Sequence, residues 1–131
     1  MSEQPATLDT HLAQYEAGPA QLRQALAGLS PAQYDLAEAE GEWTMREIVH
    51  HLAEGDVLFS LCVKAAAGNP GCRFSLPPYT TNEEWAVAQH WAARALEPAL
   101  ELFQANRADT AELMRRVPGI WERHVRLTSA D

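Results

Sequence analysis

Two adjacent histidines carry the most chemistry in this chain. They lie in Trp43-Thr44-Met45-Arg46-Glu47-Ile48-Val49-His50-His51-Leu52-Ala53-Glu54. Thr44 and Glu47 have the spacing of a capping box, in which the hydroxyl takes the Glu47 N–H and the carboxylate returns to the Thr44 N–H. Trp43, just before the cap, can staple the helix entry against the core. A histidine close to so well anchored a helix start is held in a reproducible place, as a metal ligand must be. On a helical wheel of about 100° per residue, Ile48, Leu52, Gly55, Phe59, Cys62 and Ala66 share one face. His51 falls about 60° from the centre of that face and His50 about 160° from it. The expectation is therefore an inward His51 and an outward His50. Gly55 inside a helix costs about 1 kcal/mol relative to Ala, which suits either a void beside His51 or close approach of a neighbouring helix.

One inward histidine is not yet a metal site, because zinc or nickel needs three or more converging N, O or S donors. Taken on spacing alone, His51 reads as a helix histidine hydrogen-bonded in the core or at its rim. His11, His90 and His124 form no His-x-x-x-His or His-Glu-x-x-His pair. His90 reads as a surface or rim residue, and His11 and His124 as exposed. Cys62 has no base near it in sequence, and Cys62 and Cys72 lack Cys-x-x-Cys spacing, so both read as reduced thiols, Cys62 packed and Cys72 exposed. There is no Gly-rich phosphate loop and no Gly-x-Ser-x-Gly elbow. Of Trp43, Trp85, Trp91 and Trp121, most read as core or staple residues and one or two as pocket lining.

The elements that must position these groups are helical. Leu8, Leu12 and Tyr15 follow helical spacing. Gly18-Pro19 interrupts that run, with Pro19 suited to open a new helix. Leu22, Leu26 and Leu29 continue the stripe, and Ser30-Pro31 starts a short turn of helix. The second long helix is expected from Met45 to Ala67, before Gly68-Asn69-Pro70-Gly71. Residues 68–81 read as loop. Asn82, followed by Glu83 and Glu84, opens a third segment that Pro98 kinks or restarts, and Pro118-Gly119 stops it. Val125 and Leu127 permit a short extended piece. The expected class is all-α, a single domain over residues 1–131.

With 18 acidic and 10 basic residues, the formal net charge of −8 argues against nucleic acid or an anionic membrane as the main partner. No apolar run reaches the roughly 20 residues that span a bilayer. The first ten residues lack the regions of a secretory signal, so the default location is cytoplasmic.

The segment Gln21–Ser30 (Gln-Leu-Arg-Gln-Ala-Leu-Ala-Gly-Leu-Ser), followed by Trp43–Glu54, resembles the DinB-like superfamily, especially its YfiT branch of metal-dependent hydrolases. The resemblance covers roughly residues 15–125, and its specific part is the Trp-Thr-to-His-Leu segment. It implies an up-down four-helix bundle holding zinc or nickel on three histidines. One of these, directly before Leu-Ala, maps onto His51. The other two come as His-x-x-x-His from the last helix. The resemblance also implies metal activation of a water or of a low-molecular-weight thiol such as bacillithiol or mycothiol, hence a hydrolase or thiol S-transferase acting on a small molecule. His-x-x-x-His is absent here, so the expectation is a domain that is C-terminally incomplete, with the first three long helices and one apolar groove open.

Three readings follow. The chain is a metal-dependent enzyme domain with His51 as its one ligand present. Alternatively it is a non-catalytic interaction or homodimerisation module of the same family. In the third, His90, His124 or the His51 of a second copy completes the metal shell.

Overall fold

The computed structural model of this chain describes residues 7–75 and 81–128. Helix α1 runs Leu8–Ala27 and is capped by Thr7, whose hydroxyl accepts from the Thr10 N–H. A single 3-10 turn, Pro31–Asp35, follows Ser30. Helix α2 spans Met45–Gly68. The capping box forms as expected: the Glu47 N–H donates to Thr44 Oγ1 at 3.2 Å, and the Thr44 N–H to Glu47 Oε1 at 3.1 Å. Strand β1 is Arg73–Ser75. Helix α3, Asn82–Ala88, is capped by Thr81. After a 3-10 turn at Trp91–Ala93, helix α4 runs Leu96–Arg116. A further 3-10 turn, Ile120–Glu122, leads to strand β2, Arg126–Thr128.

The third segment is thus two helices, and Pro98 sits in the first turn of the second, where its missing N–H costs nothing. Gly119, at φ 69°, turns the chain away after α4. Two expectations are overturned. Residues 68–81 are not all loop, because β1 pairs in parallel with β2, Phe74 opposite Leu127. A three-residue strand carries too little alternation to be read before its partner is known. Nor does Gly18-Pro19 interrupt the first helix: α1 passes through Pro19, which is buried. Pro19 cannot donate to the Tyr15 carbonyl four residues back. Arg107 Nη1, from α4, donates to that carbonyl instead at 2.9 Å, so the break is repaired from 92 positions away.

Helix α4 packs against both α2 and α1. One apolar cluster joins Leu26, Val49, Ala53, Leu100 and Phe103, and a second joins Leu12, Val63, Ala111, Met114 and Ile120. Between these clusters, along α2 and α4, the packed residues are polar: Asp56 and Ser60 facing Asn106, Arg107 and Thr110. Among the described residues no helix is long and apolar enough to cross a membrane.

Candidate functional site

The two histidines exchange the places expected of them. His50 is the buried one, 4% exposed, with Nε2 3.3 Å from the Arg94 carbonyl oxygen. His51 is half-buried. The physical reason is that α2 is amphipathic in two directions. The face docked on α4 carries Val49, Ala53, Asp56, Ser60 and Val63, whereas Ile48, Leu52 and Phe59 on the apolar stripe remain exposed. The wheel placed His51 correctly beside that stripe, but the stripe borders an open groove instead of the packed core. A Cβ at Gly55 would meet nothing within 4 Å, so no helix approaches there and the glycine opens space beside His51.

Burial pushes the His50 pKa below its ordinary 6.5. Between the ordinary value and the lower folded one, the unfolded chain binds more protons than the folded chain, so stability falls as pH drops through that window. Urea midpoints measured from about pH 7 to about pH 5 should decline, and His50→Gln should reduce the decline.

His51 packs against two indoles that also pack against each other. Its ring lies 4.8 Å from that of Trp43, edge-on, and 5.7 Å from that of Trp91, and the two indoles meet at 5.6 Å. Trp91 is fixed in turn by Glu54. Trp91 Nε1 donates to Glu54 Oε2 at 2.9 Å and Trp85 Nε1 to Glu54 Oε1 at 2.6 Å. One carboxylate thereby clasps α3 and the turn after it onto α2, a single turn beyond His51. The imidazole borders three recesses: about 760 Å³ toward Trp43 and Ile48, about 370 Å³ toward Tyr15 and Phe59, and about 180 Å³ toward Trp85 and Trp91.

The floor of the middle recess is a network that sequence spacing could not show. The Asp56 side chain is 2% exposed. Its Oδ1 accepts from Tyr15 Oη at 3.0 Å and from Arg107 Nε at 3.1 Å, and its Oδ2 from Asn106 Nδ2 at 2.7 Å. Burial and the adjacent Asp56 carboxylate push the Tyr15 phenol up to about 12, so it stays a proton donor to Asp56 at all ordinary pH. The only advance signal was an Asp in the middle of a helix otherwise rich in apolar residues; its partners lie about 40 and about 50 positions away.

The remaining candidates stay apart from His51. His90 is an exposed turn residue at φ 56°. His124 is exposed, and its carbonyl accepts from the Gly71 N–H. His11 is exposed, with its ring 6.2 Å from that of Trp121. Among the described residues no three His, Cys, Asp or Glu side chains are placed to hold a metal ion, so neither His90 nor His124 joins His51 in such a set. Cys62 and Cys72 are free and half-buried, which corrects the exposed reading of Cys72. Burial pushes the Cys62 thiol up, away from the thiolate a nucleophile needs.

Fold and site together define a helical bundle that presents one histidine in a groove between helices. The chain belongs to the DinB superfamily, whose family model matches residues 14–129. A protein of Geobacillus kaustophilus is 31% identical over 96 residues, which are 73% of this chain and 52% of its own length; it carries the name "Putative metal-dependent hydrolase". YfiT of Bacillus subtilis, similarly named, is 26% identical over 103 residues, 79% of this chain and 50% of its own. The chain thus spans about half the length of the curated relatives it matches. The solved structure of YfiT, described as a probable metal-dependent hydrolase with an unusual four-helix bundle topology, superposes with a TM-score of 0.78 at 21% identity. That match covers 95% of this chain and 72% of the YfiT chain, and it establishes the shared fold.

Proposed function

We propose that this chain serves divalent-metal-dependent chemistry on a small molecule, either hydrolysis or transfer to a low-molecular-weight thiol, with His51 as its contribution to the metal shell. The observation that carries this reading is the His51 imidazole held against Trp43 and Trp91 at the edge of an open apolar groove. The names of the relatives support the metal and the hydrolysis. The thiol rests on the family resemblance alone. The described residues do not by themselves fit a metal, since they offer one convergent donor where zinc or nickel needs at least three. Further donors would have to come from an element laid in the groove, such as another helix or a second copy of the chain. The chain's own residues supply a fixed imidazole and, in Trp43, Leu52 and Phe59, walls that keep water from a bound ligand.

The exposed apolar stripe of Ile48, Leu52 and Phe59 favours a second reading, in which the groove serves only to dock a partner helix or another copy. Calorimetric titration of the purified chain with zinc and with nickel separates the two. If His51 is a ligand, the wild type and His90→Ala bind alike, and His51→Ala binds at least tenfold more weakly. Unchanged binding in His51→Ala would remove His51 from the site. No binding by the wild type would leave the docking module as the function of this chain.

A further inference from the structure

We infer that Arg107 is a preset recognition point for a carboxylate, which the groove beside His51 would hold against its apolar wall. The inference deepens the small-molecule reading of that groove and rests on it. Its basis is the way the guanidinium is held. Cζ lies over two aromatic rings, 4.4 Å from the centroid of Tyr15 and 4.4 Å from that of Phe103. Nε donates to Asp56 Oδ1 and Nη1 to the Tyr15 carbonyl that Pro19 leaves without a helical donor. Gly18 provides the notch, because a Cβ there would stand 2.4 Å from Nη1. A buried carboxylate, a carbonyl freed by proline and two aromatic rings therefore hold one planar group, and a glycine leaves room for it.

Nη2 is left over. It makes no hydrogen bond with the described residues, the side chain is 22% exposed, and Arg107 lines the recess of about 370 Å³ that His51 also lines. That volume lies within the roughly 300–1,000 Å³ typical of small-molecule sites. Asp56 needs nothing more from Arg107, since Tyr15 and Asn106 also donate to it. A guanidinium already immobilised loses little further freedom on binding, and its Nη2–H groups remain to donate to a carboxylate. Because Asp56 balances its charge, attraction depends on direction more than on net charge. Leu52 and Phe59 on the same recess call for an apolar body on the ligand.

The test uses benzoate as the probe and benzamide as its neutral counterpart, titrated into the metal-free chain in the presence of a chelator and followed by NMR at the Arg107 Nε–H. Saturable benzoate binding at least fivefold tighter than benzamide, with the largest shifts at Arg107 and Tyr15, is the expected result. Arg107→Gln should abolish it, but that variant leaves Asp56 unpaired and can fail to fold. Leu52→Glu, at an exposed position, keeps the fold and sets a competing carboxylate in the recess, so it should weaken benzoate at least fivefold. Working without metal, in a chelator, separates this inference from the metal reading, which the zinc and nickel titrations test. Equal binding of benzamide, no effect of Leu52→Glu, or no binding of benzoate would each overturn it.

Discussion

Asp56→Ala should lower the unfolding free energy by about 3–5 kcal/mol, the usual cost of removing one partner from a buried ion pair. The carboxylate is almost wholly shielded and accepts from three side chains on two other helices. Its loss strands the Arg107 charge, leaves the Tyr15 hydroxyl without its acceptor and leaves Asn106 only the Asp56 carbonyl. Against a total stability of about 5–15 kcal/mol for an ordinary domain, this is a large fraction. Urea unfolding followed by circular dichroism measures it directly. Replacing both charges, as Asp56→Leu with Arg107→Met, should cost less than the sum of the two single changes, because neither charge is then stranded. An effect of Asp56→Ala below about 1 kcal/mol would mean that water reaches the pair and that the polar layer does not hold the three helices together.

Trp91→Ala should cost a similar amount, about 3–5 kcal/mol, the range for deleting a fully buried large aromatic. Trp91 is 1% exposed and is the largest of the fully buried side chains. Its removal opens a cavity under Trp43 and His51 and cuts one of the two indole hydrogen bonds to Glu54. Trp91→Phe keeps much of the ring and should lose less, mainly the hydrogen bond to a charged acceptor, worth about 1.5–3 kcal/mol. Thermal melts of the two variants rank these contributions. The near-ultraviolet dichroism of the remaining indoles reports whether Trp43 still packs against His51.

What could be read before the structure was local in origin. Thr44 and Glu47 announced the start of α2 because a capping box needs only four consecutive residues, and Pro118-Gly119 announced the end of α4 for a similar reason. The stripe of Ile48, Leu52 and Phe59 was also real. Its orientation was misjudged because periodicity says that a face is apolar, not which element covers it. The face that is covered includes Asp56 and Ser60, polar residues that lie off the apolar stripe. They are buried because Asn106, Arg107 and Tyr15 satisfy them across the bundle. Pro19 misled for the same reason: its local rule is sound, and the exception depends on a side chain 92 positions from Tyr15. The wheel set His51 beside the apolar stripe but misjudged which of the two histidines is buried; the ligand role of His51 is what the family resemblance implies. The clasp of Trp85 and Trp91 on Glu54 was not legible, since nothing near Glu54 in sequence points to two indole donors 31 and 37 positions on.

The unbroken passage of α1 through Pro19 has a consequence for how the domain opens. In most helices a proline marks a weak joint, where one half frays while the other stays formed. Here the carbonyl at that joint is tied to α4 by Arg107, which is itself gripped by Asp56 on α2. Local breathing of α1 at this point must also break the hydrogen bond from a charged side chain held on α4 and against α2. The joint that looks weakest in the helix is therefore the one whose opening is coupled to disassembly of all three long helices, and α1 should behave as a single cooperative unit with them.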